Sequence, residues 1–547
     1  MNIRLQDWLA IQADRRPQAP ALVFRDSICS YGELEQRSNR LARALQSAGC
    51  RRGDRVGLLL PKSVEAIVAI FAALKADCIY VPLDTASPAA RLERILQLCE
   101  CQCVLAESST AALLNELVRS PAWASNTRIG WTDRGTASPG IASAFSARDV
   151  DAFPAGPLDS VNDPSAPAHI LFTSGSTGMP KGVVITHANV TQFVNWALSY
   201  FKTTPDDRIS GHPPLHFDLS TFDIFGTIAA GAELHLLPPE ISILPHRLAD
   251  FMRSSQLTQW FSVPSVLQHM RAFDAVREND FPALRRLLWC GEKLATPTLR
   301  YWMQRLPHVT FTNLYGPTET TIASSYYRVP ACPPADDTEI PIGAPCDGES
   351  LLVLDEQLKP TRPAQIGDLY ITGAGLSPGY WRDPLRTAQA FLESPAGMRM
   401  YRTGDLARCG VDGMIYLLGR VDSQIKSRGH RIELGEVETA VHAIPGVREA
   451  AVVAIETGGL EGKSICCAYV PATETGLSAV ALRAELARTL PRYMIPAHWM
   501  ALEVMPRNRN GKTDRPLLAQ WFANQRSGGS LVANSASEAG IAAVQSS

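Results

Sequence analysis

Apolar positions recur at helix spacing over residues 34–45 and 64–74, and short apolar runs fall at 55–60 and 79–81. The first pattern predicts amphipathic helices and the second predicts strands, so the opening of the chain reads as α/β layers. The pattern slackens over 135–166, a stretch rich in Ala, Ser, Pro and Asp that reads as a surface excursion. Two further apolar runs, 169–172 and 183–185, flank a polar loop, and mixed α/β patterning then continues to about residue 419. From Arg431 the elements become those of a compact α+β unit. A helix is predicted over 435–443, strands over 449–454 and 464–470, and a helix over 477–490. Beyond Arg526 the chain is small and polar, which predicts a disordered tail. No internal repeat is apparent.

At 547 residues the chain exceeds one ordinary hydrophobic core and should divide into at least two domains. Hydrophobic residues make up 46% and charged residues 19%, a balance that buries large cores and excludes a disordered polymer. The net charge of −2 gives no whole-chain attraction to nucleic acid or to anionic membranes. The first eight residues lack a signal-peptide core, and no apolar stretch is long enough to span a bilayer. A cytoplasmic protein without nucleic-acid or membrane partners is the expectation.

Twelve cysteines are present, among them the alternating Cys99, Cys101 and Cys103 and the adjacent Cys466 and Cys467. None has the Cys-x-x-Cys spacing of a zinc site. Strand alternation would place Cys101 and Cys103 on one face as small buried hydrophobes. His212 and His216 are four apart, but Pro213 and Pro214 lie between them, so no helix face can present both. Thiols in a reducing compartment are the simplest reading.

The polar loop carries the chemistry. Residues 172–182 run Phe-Thr-Ser-Gly-Ser-Thr-Gly-Met-Pro-Lys-Gly, with three glycines, four hydroxyls and one lysine between apolar strands. Glycines let the backbone approach a ligand, exposed N–H groups and hydroxyls donate, and Lys181 adds positive charge, which suits a polyphosphate. The spacing is not that of a Walker loop, because Met179 and Pro180 separate the last loop glycine from the lysine. A Ser/Gly-rich surface hairpin would explain the composition but not the lysine.

Further motifs follow in a fixed order. Ser-Tyr-Gly-Glu-Leu occupies 30–34, and Leu-Lys-Ala-Asp-Cys-Ile-Tyr-Val-Pro-Leu-Asp occupies 74–84. After the loop come Phe-Asp-Leu-Ser at 217–220, Asn-Leu-Tyr-Gly-Pro-Thr-Glu at 313–319 and Gly-Asp-Leu-Tyr-Ile-Thr-Gly at 367–373. Tyr-Arg-Thr-Gly-Asp-Leu follows at 401–406, then Gly-Arg-Val-Asp-Ser-Gln-Ile-Lys-Ser-Arg-Gly at 419–429. Leu-Pro-Arg-Tyr-Met-Ile-Pro at 490–496 and Asn-Gly-Lys-Thr-Asp-Arg at 510–515 complete the train. Through these motifs the chain resembles the adenylate-forming superfamily, and within it the amino-acid adenylation domains of non-ribosomal peptide synthesis, over roughly residues 5–520.

The resemblance implies a large N-terminal multi-layer α/β domain of the adenylate-forming fold over 1–421. A small mobile α+β domain over 422–525 and a tail over 526–547 would follow. It implies ATP and Mg2+ as cofactors and attack of a carboxylate on the α-phosphate. Two anions must meet, so cations and oriented donors matter more than a base. By resemblance, Lys512 bridges the carboxylate and α-phosphate, and Thr318 contacts the α-phosphate region. Thr173, Ser174, Gly175, Ser176, Thr177, Gly178 and Lys181 hold the β,γ-phosphates. Glu319 is the Mg2+-associated carboxylate, a role that suits a hard oxygen ligand. Asp405 accepts from the ribose hydroxyls with Arg420 beside it, Tyr315 stacks on adenine and Asn313 reads its edge. Asp422 is the hinge about which the small domain rotates, withdrawing Lys512 and bringing the loop over 424–429 to the site for thioester formation.

Asp218 stands where the amino-acid branch of the superfamily pairs an aspartate with the substrate α-ammonium. The rest of the implied pocket is Leu219, Phe222, Phe261, Leu288, Cys290, Leu314, Ile322 and Ala323, apolar throughout, which suits a small neutral amino acid. The flanking residues 214–225 and 259–265 resemble stand-alone prolyl-carrier-protein ligases, and also D-alanyl ligases and other free-standing enzymes for small amino acids. L-Proline is the first expectation, with alanine, valine, 2-aminobutyrate and threonine open. No condensation motif is present, and Gly-Gly-Ser-Leu at 528–531 lacks the residue that a carrier motif places between glycine and serine. The expected partner is therefore a separate carrier protein with a phosphopantetheine arm. The alternatives are a carboxylate–CoA ligase, disfavoured by Asp218, and a catalytically silent AMP-binding protein, disfavoured by the intact motifs.

Overall fold

Two serines set the first long helices. Ser30 accepts the Glu33 N–H to start the helix Tyr31–Ser47, and Ser63 accepts the Ala66 N–H to start Val64–Lys75. Caps of this kind are worth about 1 kcal/mol each. Both helices contain the runs predicted at 34–45 and 64–74. Residues 3–121, 123–135, 140–175, 178–457, 462–472, 477–509 and 511–526 are described by the computed structural model.

Among these residues, one sheet of seven strands runs in the order Gly379–Tyr380, Lys181–Thr186, Pro167–Thr173, Ile79–Pro82, Arg55–Leu59, Cys103–Ala106 and Arg128–Trp131. Its central pairs are parallel, and Pro167–Thr173 with Lys181–Thr186 forms an antiparallel pair in which Thr173 faces Lys181. A second sheet of nine strands includes Arg208–Gly211, Gln259–Ser262, Arg286–Trp289 and Thr310–Tyr315, paired in parallel in that order. Helices Leu5–Arg15, Tyr31–Ser47, Val64–Lys75 and Asp218–Ala230 lie between the two sheets. One continuous core joins Val56 and Leu58 of the first sheet to Leu22, Leu234 and Leu236 of the second through Phe71 and Phe225. Val64–Lys75 is buried on every side, as a helix packed between two sheets must be.

Helix Tyr31–Ser47 also fixes the predicted surface excursion. Asn39 donates to the Ala155 carbonyl and Arg40 to Phe153, while Arg43 reaches the carbonyls of Pro154, Gly156 and Pro157. A third sheet, Glu349–Leu354, Ile366–Gly373, Arg399–Cys409 and Phe391–Glu393 with Ile415–Arg420 on its side, brings the chain to the small unit.

The small unit holds the hairpin Gln424–Ser427 with His430–Glu433, helix Leu434–His442, and the antiparallel pair Val447–Glu456 and Lys463–Pro471. The final predicted helix is shorter than 477–490. It spans Ala479–Leu486, because Leu477 gives its carbonyl to the Tyr469 hydroxyl and Ser478 is the cap. The hairpin Gln424–Ser427 with His430–Glu433, the strand His498–Ala501, parallel to Lys463–Pro471, and the helix Arg515–Arg526 went unpredicted. Cys101 and Cys103 are both buried, but in different cores, because Cys101 precedes the strand Cys103–Ala106 and the alternation has not yet begun. The predicted tail lies outside the described residues. No described helix is long and apolar enough to cross a membrane.

Candidate active site

The polar loop leaves the strand Pro167–Thr173 and returns on Lys181–Thr186, so its ends are pinned by the ladder between Thr173 and Lys181. Ser176 and Thr177 lie outside the described residues. Gly178 donates to the Gly175 carbonyl, tightening the turn. A side chain at Gly175 would collide with the Met179 carbonyl, its Cβ only 2.1 Å away. The Thr173 hydroxyl is buried with no partner among the described residues. Such an orphan at a polyphosphate loop fits a donor held for a ligand oxygen.

Opposite the loop, Glu319 sits in the short turn Thr318–Thr320 and is wholly buried. Lys181 approaches it at 3.2 Å, Arg431 at 2.7 Å, and the Tyr380 hydroxyl donates to it at 2.7 Å. Burial alone would raise its pKa, but Arg431 and Lys181 hold the carboxyl well below the usual range. Lys181 is pushed the other way, down, by its burial and by Arg431. The charges therefore converge on one anion, and one of the two cations belongs to the small unit.

Tyr315 ends the strand Thr310–Tyr315 and donates its hydroxyl to Asp405 at 2.6 Å. Arg420 donates to the other Asp405 oxygen at 2.7 Å and clamps Asp422 with Nε and a terminal nitrogen, at 2.8 and 2.7 Å. Asn313 donates to the Pro341 carbonyl at 2.8 Å. The structure thus joins Tyr315, Asp405, Arg420 and Asp422 in one hydrogen-bonded chain.

Asp218, at the first turn of helix Asp218–Ala230, lines a cavity of about 110 Å3 together with Leu219, Cys290, Thr318 and Asp405. The Thr318 hydroxyl donates to Asp218 at 2.7 Å, which is where the structure puts that side chain. Burial pushes the Asp218 carboxyl up to about 6, opposed by Thr318 and by the Lys426 charge. Behind it, Leu219, Phe222, Phe261, Leu288, Cys290, Leu314, Ile322 and Ala323 all fall in a single buried cluster backed by Phe193 and Trp196. Ile322 holds φ at +69°, a strained value for a β-branched residue, and its carbonyl meets the Cys290 thiol at 3.8 Å.

Lys512 is not at this cavity. It is exposed, and its backbone N–H is bound to Asn508 Oδ1 at 3.1 Å. The small unit instead presents its hairpin: Gln424, Lys426, Gly429, His430 and Arg431 line the cavity. Ser174 donates to the Arg431 carbonyl at 2.7 Å, and Gly175 N–H donates to Glu436 at 3.2 Å. Glu436 also pairs with Arg91 at 2.6 Å, both side chains nearly inaccessible. Sequence reasoning missed Arg431, Glu436, Arg91 and Tyr380. Only Arg431 had a signal, lying two residues past the motif that ends at Gly429.

A glycine-bearing loop with a buried hydroxyl unpartnered among the described residues, a compensated carboxylate facing it and a half-buried aspartate beside an apolar cluster suit a site for a charged ligand. Comparison with known proteins is consistent with this. The family model of the AMP-binding enzyme matches residues 9–381, and that of the AMP-binding enzyme C-terminal domain matches 436–512. The chain belongs to the AMP-binding enzyme family. It is similar to tyrocidine synthase 1 of Brevibacillus parabrevis, 32% identical over 511 residues. That match covers 93% of this chain but 44% of the synthase, so the chain spans less than half of that relative's length. It is also similar to the L-proline–[L-prolyl-carrier protein] ligase of Streptomyces coelicolor, 36% identical over 505 residues, covering 90% of this chain and 92% of the relative. Among solved structures, the Vibrio cholerae adenylation domain AlmE in complex with glycyl-adenosine-5'-phosphate matches with a TM-score of 0.83. The two are 26% identical, covering 96% of this chain and 98% of that one.

Proposed function

We propose that this protein activates a small neutral amino acid, L-proline first, as its aminoacyl adenylate and passes it to the phosphopantetheine thiol of a separate carrier protein in the cytoplasm. The observation that carries this reading is Asp218 on the cavity wall, with an apolar cluster behind it and a carboxyl that burial raises to about 6 despite the Thr318 hydroxyl and the Lys426 charge. A lone carboxylate in such surroundings is costly unless a cation arrives, and the α-ammonium of an amino acid supplies one. Leu219 and Cys290 line the cavity, and the bulk of Phe222 and Phe261 in the cluster behind them suits a short side chain. The similarity to a full-length L-proline ligase points the same way.

In the first step the amino-acid carboxylate oxygen bonds to the α-phosphorus, and the bond to the departing pyrophosphate breaks. Thr173, Ser174, Gly175, Ser176, Thr177, Gly178 and Lys181 bind the outgoing phosphates, and Lys512 neutralises the carboxylate and α-phosphate. Asp405 and Arg420 hold the ribose, with Tyr315 and Asn313 at the base. Glu319 is a fitting oxygen donor for Mg2+, which would offset phosphate charge; Arg431 must first leave that carboxylate. In the second step the thiol sulfur loses its proton and attacks the acyl carbon, and AMP departs. The docked hairpin, with Lys512 outside the cavity, suits that second step.

The test is incubation with ATP, Mg2+ and an equimolar mixture of the twenty amino acids, followed by hydroxylamine trapping and mass spectrometry. Prolyl hydroxamate as the main product supports the reading, whereas no aminoacyl hydroxamate at all overturns it.

A further inference from the structure

Glu292 has no part in the roles argued above. It stands two residues beyond Cys290, just past the strand Arg286–Trp289. Gly291, at φ +98°, turns the chain there, so that Cys290 lines the cavity while Glu292 meets the small unit. Glu292 Oε1 accepts the Gly429 N–H at 2.6 Å, and Ser265 donates to the same carboxylate through its backbone and its hydroxyl. Burial pushes the Glu292 carboxyl up, and the Gly429 N–H, the Lys426 charge and Ser265 oppose that rise. Gly429 itself lies flat on Val263. A Cβ at that position would come within 2.8 Å of Val263 Cγ1, and the residue holds φ at +80°. The hairpin tip therefore docks by its backbone, and Glu292 is what that backbone binds.

We infer that Glu292 is a positioning residue that holds the hairpin in the docked arrangement and so favours the thioester-forming step. This rests on the two-step reading above. Of the other contacts made by the docked unit, those at Glu319, Ser174 and Gly175 use groups of the large unit assigned to the nucleotide, while Arg91 pairs with Glu436 and Phe217 packs on His430. Glu292 contacts the hairpin away from those groups. Its loss should therefore weaken docking without touching adenylate formation. When the small unit rotates to bring Lys512 in, Gly429 departs and Glu292 keeps Ser265 and water. The short bond from the Gly429 N–H, together with the seat of Gly429 on Val263, makes this contact an effective latch.

The experiment compares the wild-type protein with Glu292→Ala and Glu292→Gln. Deuterium uptake of the peptide covering 424–433, measured without substrate, should rise about tenfold in rate in Glu292→Ala and much less in Glu292→Gln, whose amide oxygen still accepts. Amino-acid-dependent ATP–pyrophosphate exchange should stay within about threefold, while single-turnover transfer to pantetheine falls about tenfold. Unchanged uptake and transfer in Glu292→Ala, or equal loss of exchange and transfer, would overturn the inference. Should the wild-type protein activate no amino acid, the two-step reading fails, and uptake alone still decides whether Glu292 holds the hairpin.

Discussion

Arg431 of the small unit donates to Glu319 of the large one at 2.7 Å, on the same carboxylate that Lys181 approaches at 3.2 Å. Two cations and a tyrosine hydroxyl share one buried anion, with Arg431 on Oε2 and with Lys181 and Tyr380 on Oε1. Under the Mg2+ role proposed for Glu319, the docked hairpin would compete with the metal for this carboxylate. The same holds at the phosphate loop, where Glu436 takes the Gly175 N–H. Arg431→Ala should therefore spare adenylate formation and slow thioester formation, by about tenfold to a hundredfold for a buried charged hydrogen bond. Separate assays of the two half-reactions check this, and equal losses in both would contradict it.

Lys512 is exposed in the docked arrangement and is held there through its backbone N–H on Asn508. Lys512→Ala should alter unfolding stability by no more than about 0.5 kcal/mol. Loss of a group that neutralises charge in the transition state should cut adenylate formation about a hundredfold or more. Transfer from chemically supplied prolyl adenylate should persist. A variant that loses both steps, or neither, would remove Lys512 from the role assigned to it.

Asp218 gives a pH dependence with a definite sign. Its carboxyl is pushed up to about 6, above the ordinary value for an aspartate. The stability it contributes is present at low pH and is lost as pH rises through about 6, where the buried charge appears. Asp218→Asn should raise the stability of the free protein at pH 8 by about 2 kcal/mol, with little difference at pH 4. The same variant should lower amino-acid activation about a hundredfold, since the α-ammonium loses its partner. Denaturant midpoints at the two pH values, with exchange rates beside them, test both halves.

Asp422 receives two hydrogen bonds from Arg420 and one from the Gln424 N–H, a local knot at the start of the small unit. Proline there fixes φ and limits rotation about that point. Asp422→Pro should retain pyrophosphate exchange and lose carrier loading. Equal loss of both activities would contradict a hinge at this residue.

The phosphate loop was legible because its strands and glycines are local features, and the strands Pro167–Thr173 and Lys181–Thr186 bracket it as the apolar runs imply. The residues expected to wall the pocket gather in one buried cluster, from which Leu219 and Cys290 reach the cavity. The strand His498–Ala501 was not, because four residues reading His-Trp-Met-Ala show no alternation and take their place only by pairing with Lys463–Pro471. The contacts of Glu292 and Arg431 were not legible for a related reason, although Arg431 lies close to a motif. Their partners, Gly429 and Glu319, lie 137 and 112 residues away in the chain, and no local pattern announces such a contact. The separation of Cys101 from Cys103 shows the limit of periodicity, which holds only after a strand has begun.

The most direct measurement is ATP–pyrophosphate exchange with the purified protein across the twenty amino acids and several aryl and fatty acids. Strong exchange with L-proline or another small neutral amino acid is expected, abolished by Asp218→Asn. Exchange supported only by acids without an α-ammonium would contradict the reading of Asp218, and with it the substrate class.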